Sequence, residues 1–206
     1  MTAHVRGCLV TVVLASTLLT GCVSKIKYPN YYTLHLAPVT DPPPKGEQLP
    51  SIGVREFQAP GYLRQGPIVY RISPEQIGFY EYHRWAVDPR QVITNAVVER
   101  LAASGSFARV AVYDGRDDVD YILAGRLDKL DEVDYEGAVA VEVAIAAQVT
   151  EFRTGKTIWT NSAADTVKVD RRNVPAIVAE MSSLTDRTIE KLLIPLVVPP
   201  IPAGRR

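Results

Sequence analysis

The chain has 206 residues, 47% of them apolar and 22% charged, a length and balance that suit one globular domain and leave little room for two. Basic and acidic side chains number 23 each; removing residues 1–21 takes away only Arg6, so 22 basic face 23 acidic groups and the net charge is about −1. No basic excess is available to displace counterions from phosphates, which argues against a nucleic-acid partner.

At the amino end, His4 and Arg6 precede an apolar run from Cys8 to Leu19. The run is too short for a bilayer-spanning helix of roughly 20 residues and has the form of a secretory signal. It closes on Leu19-Thr20-Gly21-Cys22, which resembles the lipobox of bacterial lipoproteins. The expectation is a signal peptide over 1–21, cleavage between Gly21 and Cys22, and diacylglycerol on the Cys22 sulfur with a further N-acyl chain, such as palmitate. No other cofactor and no metal is expected. Each buried CH₂ stabilises anchoring by about 0.8 kcal/mol, so two or three chains fix the protein to a leaflet. Cys8 leaves with the signal and Cys22 is acylated, so no thiol remains for a disulfide. Val23 and Ser24 stand where an inner-membrane retention signal would place Asp, which by resemblance favours the outer membrane, on its periplasmic side.

A polar tether spans 22–30 and a single folded domain 31–195. Clustered β-formers predict a first strand at Tyr31 to Leu36. Pro38 to Pro50, with Pro42-Pro43-Pro44, reads as an exposed loop. Strands follow at Ser51 to Phe57, Ile68 to Ile72 and Gly78 to Tyr82. Asp88 as N-cap, Pro89 at the first helical position and Gln91 completing a capping box open a helix that ends at Ser104-Gly105; its buried stripe is Ile93, Val97 and Leu101, with Val92 and Ala96 beside it. After a short strand at Phe107 to Tyr113, three long segments (Val119 to Val133, Gly137 to Glu151, Lys156 to Val169) read as a meander with turns at Asp134 to Gly137 and Thr154-Gly155. A last helix runs from about Asn173 to Leu193 on a stripe of Ile177, Met181, Leu184 and Leu192, and stops at Pro195. Residues 196–206 form a Pro-rich tail expected to be mobile.

The fold class is mixed α+β: one domain, with a mixed, largely antiparallel sheet of about six to seven strands packed by two helices. One-sided or two-sided packing stays open. In the second meander segment Val139, Val141, Val143, Ile145 and Val149 share one face, and Ala138, Ala140, Ala144 and Ala146 the other. That small second face leans toward helices on different sides.

Catalytic chemistry finds little to work with. Only His35 and His83 survive signal removal, both in predicted strands, and there is no Gly-x-Ser-x-Gly elbow. Thr154-Gly155-Lys156-Thr157 lacks the earlier glycine and the following helix of a phosphate loop. Asp117, Asp118 and Asp120 lack calcium-loop spacing and read as a solvated loop. Asp128, Asp131, Glu132, Asp134 and Glu136 crowd one hairpin end and read as a water-facing guard against edge pairing, or else as a docking surface for a basic partner. The segment Gly61 to Trp85 stands apart, because it concentrates Tyr, Trp and Arg, the residue types that dominate interfaces. Its candidate contact residues are Tyr62, Leu63, Arg64, Tyr70, Arg71, Arg84 and Trp85; the plainer reading makes these aromatics core and strand-pair contacts.

Tyr31-Tyr32-Thr33-Leu34, Pro60-Gly61-Tyr62-Leu63, Ile68-Val69-Tyr70-Arg71 and Tyr80-Glu81-Tyr82-His83-Arg84-Trp85-Ala86 together resemble the signature blocks of the ABC-type transport auxiliary lipoproteins, the PqiC-like family. The resemblance implies a noncatalytic outer-membrane lipoprotein that assists phospholipid trafficking across the periplasm. It would work with an MCE-domain protein and, through it, an ABC permease and ATPase, as a homo-oligomeric ring. The loop at Pro38 to Pro50 and the tail depart from the family pattern. Competing readings are a small periplasmic lipid or envelope hydrolase, marked by convergent titratable groups in a pocket, and a scaffold lipoprotein unrelated to lipid traffic.

Overall fold

Apolar alternation in the second half of the chain and two capped helical runs generate one mixed sheet with two helices against it. The structure is a computed structural model describing residues 27–39, 49–135, 137–170 and 172–197. The expected signal peptide, Cys22, the first part of the tether, residues 40–48 of the loop and 198–206 of the tail lie outside the described residues. In chain order the elements are β1 (Asn30–Tyr32), β2 (Ser51–Val54), a 3-10 turn (Gly61–Arg64), β3 (Pro67–Arg71), β4 (Ile77–Trp85), α1 (Pro89–Ala103), β5 (Arg109–Val112), β6 (Tyr121–Tyr135), β7 (Ala138–Glu151), β8 (Thr157–Lys168) and α2 (Val174–Leu193).

β6 is the axis of the sheet. One of its edges pairs antiparallel with β7 along its whole length, and β7 pairs with β8. The other edge is shared: β2 lies parallel to it at Tyr121–Leu123, and β3 lies parallel at Glu132–Val133. Between these contacts the chain leaving β2 stays beside β6, with Arg55 N donating to Leu123 O, Gln58 N to Gly125 O and Leu127 N to Gln58 O. β5 flanks β2, β4 flanks β3 antiparallel, and β1 flanks β4 parallel, giving eight strands among the described residues. Phe57 fills the crossover, fully buried with its ring pressed on the backbone of Gly125, where a Cβ would collide with it. Only glycine admits that approach.

The Asp88 carboxylate caps α1, accepting from Arg90 N at 2.9 Å. It is gripped by the Arg90 guanidinium as well, so the reciprocal partner is Arg90 rather than the expected Gln91. Burial opposes ionisation of this acid, but the hydrogen bonds and charge of Arg90 outweigh it and hold the carboxyl below its usual range. Asn173 caps α2 by accepting from Ala176 N at 3.0 Å. The predicted stripes of both helices are buried: Ile93, Val97 and Leu101 on α1, and Ile177, Met181, Leu184 and Leu192 on α2.

Two expectations need correction. The helices do not take opposite faces: α1 and α2 touch, joined by an ion pair between Arg100 and Asp186, and share one side of the sheet. On β7 the Val/Ile face meets α2, whereas Ala138, Ala140, Ala144 and Ala146 stay half-buried on the opposite, open side. The first strand is also shorter than predicted. After Tyr32 the chain leaves the sheet and crosses α2, where Ser182 Oγ accepts from His35 N at 3.0 Å and Asp186 Oδ1 from Ala37 N at 3.2 Å. Side chains of a helix 147 residues away thus supply the acceptors that a neighbouring strand would have given.

Candidate interaction surface

The seven candidate contact residues lie on three adjoining pieces of backbone. The 3-10 turn carries Tyr62, Leu63 and Arg64; β3 carries Tyr70 and Arg71; β4 ends in Arg84 and Trp85. Arg64 is exposed and Tyr62, Tyr70, Arg71 and Arg84 are half-buried. Leu63 and Trp85, at 5% and 8% exposure, pack in the core. For these two the plainer reading holds, and they offer no contact area from the surface.

Around Arg71 the structure assembles a polar clamp. Its Nε donates to Asp131 Oδ2 at 2.6 Å, its Nη2 to the Tyr62 hydroxyl at 3.3 Å and its Nη1 to Pro74 O at 3.2 Å. The guanidinium also sits 5.6 Å from the centroid of the Tyr62 ring. Tyr62 in turn donates toward Asp131 Oδ2 and Asp128 O, each at 3.3 Å. Asp131 is completely buried, and its second oxygen, Oδ1, has no hydrogen-bond partner. Burial pushes the Asp131 carboxyl up, and the Arg71 hydrogen bond and charge, with the Tyr62 hydroxyl, hold it part of the way down. The clamp ties the 3-10 turn and β3 to the middle of the sheet, and Arg64 projects beside it.

A second cluster grows from the very next residue, because adjacent side chains of a strand point to opposite faces. Glu132, 4% exposed, accepts from the Tyr80 hydroxyl at 2.8 Å. Burial raises its carboxyl, Tyr80 lowers it and the charge of Asp134 raises it again. The Tyr80 hydroxyl itself is pushed well above its ordinary range by burial and by Glu132. From there an aromatic row runs across β3, β4 and β1: Tyr70 to Tyr80 at 5.1 Å, Tyr80 to His83 at 5.5 Å and His83 to Tyr32 at 5.6 Å between ring centroids. His83 Nδ1 and the Tyr32 hydroxyl share a hydrogen bond of 2.9 Å.

These placements correct the reading of the acidic run. Asp131 and Glu132 are not a water-facing guard, because β6 is an inner strand paired on both edges and their carboxylates are committed to Arg71 and Tyr80. Glu136 lies outside the described residues. Asp131, Glu132, Tyr80 and His83 were missed as parts of one polar framework. The available signal was two neighbouring acids inside a strand of apolar residues, each needing a partner on its own side.

Asp120 accepts from both the amide and the hydroxyl of Ser51 at 2.8 Å, and so secures the start of β2. Thr154-Gly155-Lys156 is a turn, with Gly155 at φ +69°, leading into β8. A cavity of about 330 Å³ opens between the carboxyl ends of α1 and α2, lined mainly by Leu101, Phe107, Leu193, Ile194 and Leu196 beside Arg100 and Glu190. Among the described residues there is no group of three or more His, Cys, Asp or Glu side chains able to hold a metal, and no helix long and apolar enough to cross a membrane.

The model of the family described as "ABC-type transport auxiliary lipoprotein component" matches residues 32–192. No curated protein matches the sequence. Among solved structures, a protein from Xanthomonas campestris superposes with a TM-score of 0.67 at 17% identity, over 80% of this chain and 92% of its own. An uncharacterised protein gives 0.59 at 17% identity, over 80% and 96%. PelC from Paraburkholderia phytofirmans, crystallised as a dodecamer, gives 0.48 at 16% identity, over 78% and 96%. The first two show that the fold is shared.

Proposed function

The chain belongs to the family of ABC-type transport auxiliary lipoprotein components, and from that premise we propose that it is a noncatalytic, lipid-anchored subunit of an MCE-type ABC transport system. It is held by acyl chains on Cys22 at the periplasmic side of the outer membrane. There it assists phospholipid trafficking by docking, as a homo-oligomeric ring, on an MCE-domain protein that is coupled to a permease and an ATPase. The observation that carries the reading is the family match, which spans all but the ends of the folded domain.

A noncatalytic role agrees with the chemistry of the polar groups. The buried acids are engaged by Arg71 and Tyr80, His83 is bonded to Tyr32, and the cavity between the helices is walled chiefly by apolar side chains. The docking surface is assigned to Arg64 and Arg84 with the half-buried Tyr62 and Arg71 beside them, residue types that anchor interfaces, whereas Tyr70 pairs with Glu132 and stacks on Tyr80 on the opposite face of the sheet. Co-purification of the acylated protein in detergent tests the proposal. The native chain is expected to bring down its MCE partner, and the Arg64→Glu/Arg84→Glu variant, folded by circular dichroism, is expected to lose it. Unchanged recovery by that variant removes the surface; recovery of no transport component by the native chain removes the function.

A further inference from the structure

The most exposed aromatic residues of the described chain are Tyr28 at 76% and Tyr31 at 63%, and both lie immediately after the tether. Tyr31 pairs with Arg84 across the β1–β4 ladder, which places it on the same side of the sheet as Arg84 and as Tyr82, two positions earlier. The Lys27 ammonium rests 4.3 Å from the centroid of the Tyr82 ring. Arg84 Nη2 donates to Gln65 O at 3.2 Å, which turns its cation toward Arg64 and the 3-10 turn and leaves Tyr31 and Tyr82 at the outer corner. The result is a corner of the sheet where Tyr31 and Tyr82 share one face under the Lys27 ammonium, with the exposed Tyr28 next to Lys27 in the chain.

We infer that this corner, formed by Lys27, Tyr28, Tyr31 and Tyr82, is a contact surface for an anionic phospholipid leaflet, so that the domain lies against the membrane in one orientation rather than swinging on its tether. The inference rests on acylation of Cys22, and tether length gives it force. Cys22 is five residues before Lys27, a reach of about 18 Å at full extension, and Lys27 is docked on Tyr82. A domain of this size is about 40 Å across, so the leaflet stays nearer to this corner than to the far side of the domain. The chemistry matches the location. Tyrosine combines an apolar ring with a polar tip and concentrates at membrane–water interfaces. Lysine within a Debye length of an anionic surface is attracted to it.

After acylation the chain carries no free thiol, so single fluorophores can be attached to Tyr28→Cys, Tyr31→Cys and, as a remote control, the exposed Phe152→Cys. The acylated protein is reconstituted into vesicles of phosphatidylethanolamine with phosphatidylglycerol, or of phosphatidylcholine alone. Flotation scores anchoring, and quenching by aqueous iodide and by headgroup-proximal spin-labelled lipid scores contact. The expected result is iodide protection and lipid quenching at positions 28 and 31 in the anionic vesicles and at neither in phosphatidylcholine, with position 152 open in both. Lys27→Glu should weaken the contact about fivefold or more, the effect of one cation at such a surface. Equal iodide access at 31 and 152 in anionic vesicles, or equal protection at 31 in both lipids, overturns the inference while leaving the anchor intact. Failure of the native chain to float with either vesicle overturns the anchor, and this surface with it.

Discussion

Replacing Arg71 by Met leaves the completely buried Asp131 carboxylate without its cation while keeping most of the side-chain volume. Removing one partner of a buried ion pair costs roughly 3–5 kcal/mol, because the remaining charge is uncompensated. Tyr62 still donates to Asp131, so the low end, about 3 kcal/mol at pH 7.5, is expected. The pH dependence identifies the cause. The folded Asp131 carboxyl lies above its unfolded value of about 3.9 because burial outweighs Arg71. An acid raised on folding binds more protons in the native state, so its contribution to stability falls as pH rises through the interval between the two values. Without Arg71 that interval extends further upward, and the acid escapes its penalty by protonation at low pH. Urea unfolding of Arg71→Met should therefore show a markedly smaller loss at pH 5 than at pH 7.5, and the double variant Arg71→Met/Asp131→Asn should recover most of the loss at pH 7.5. An equal loss at both pH values, or no recovery in the double variant, refutes the electrostatic account and leaves packing as the cause.

Asp88→Ala should cost about 1 kcal/mol by removing the cap of α1; since this carboxyl is lowered on folding, its contribution is full above the unfolded value and fades as pH falls through the folded one. Urea midpoints at pH 7 and pH 3 check this, with a larger difference between native and variant at pH 7. Gly125→Ala drives a methyl into the Phe57 ring and should destabilise by about 1–3 kcal/mol, with partial recovery when Phe57→Leu is added; a thermal melt of the four chains in the cycle decides it. Trp85→Ala should cost about 3–5 kcal/mol because the ring is core, whereas Arg84→Ala should leave the melting temperature within about a degree. A partner-binding assay on the Trp85 variant alone would therefore report unfolding.

Both helices were readable because their information is local. Asp88 and Asn173 are caps beside an apolar stripe of period 3.6, and in each the side chain bonds an amide within three residues. The meander was readable for the same reason: its strands are joined by short turns, and alternation along β7 separates the buried Val and Ile positions from the Ala positions. What sequence did not disclose depends on distant chain. Nothing near Leu34 announces that Ser182 will accept from the backbone of His35 and end β1 early. Whether Asp131 is a surface or a buried group depends on Arg71, 60 positions away. On the side taken by α1, Arg100 meets Asp186, 86 positions away. Leu63 and Trp85 carry the composition of an interface and the burial of a core, and composition alone does not separate the two.

The shared edge of β6 also orders events in time. Synthesis proceeds from the amino terminus, and β2 finds both of its partners, β5 and β6, only after more than fifty further residues have been made. The strand on which the early elements assemble arrives late, followed by β7, β8 and α2, which complete themselves from consecutive sequence and close quickly. Until then the emerging amino-terminal half carries open backbone edges and unfilled apolar positions, the state most prone to pairing with a neighbouring chain. A holding chaperone is most needed during that interval, and truncation anywhere before Tyr121 should yield an insoluble fragment.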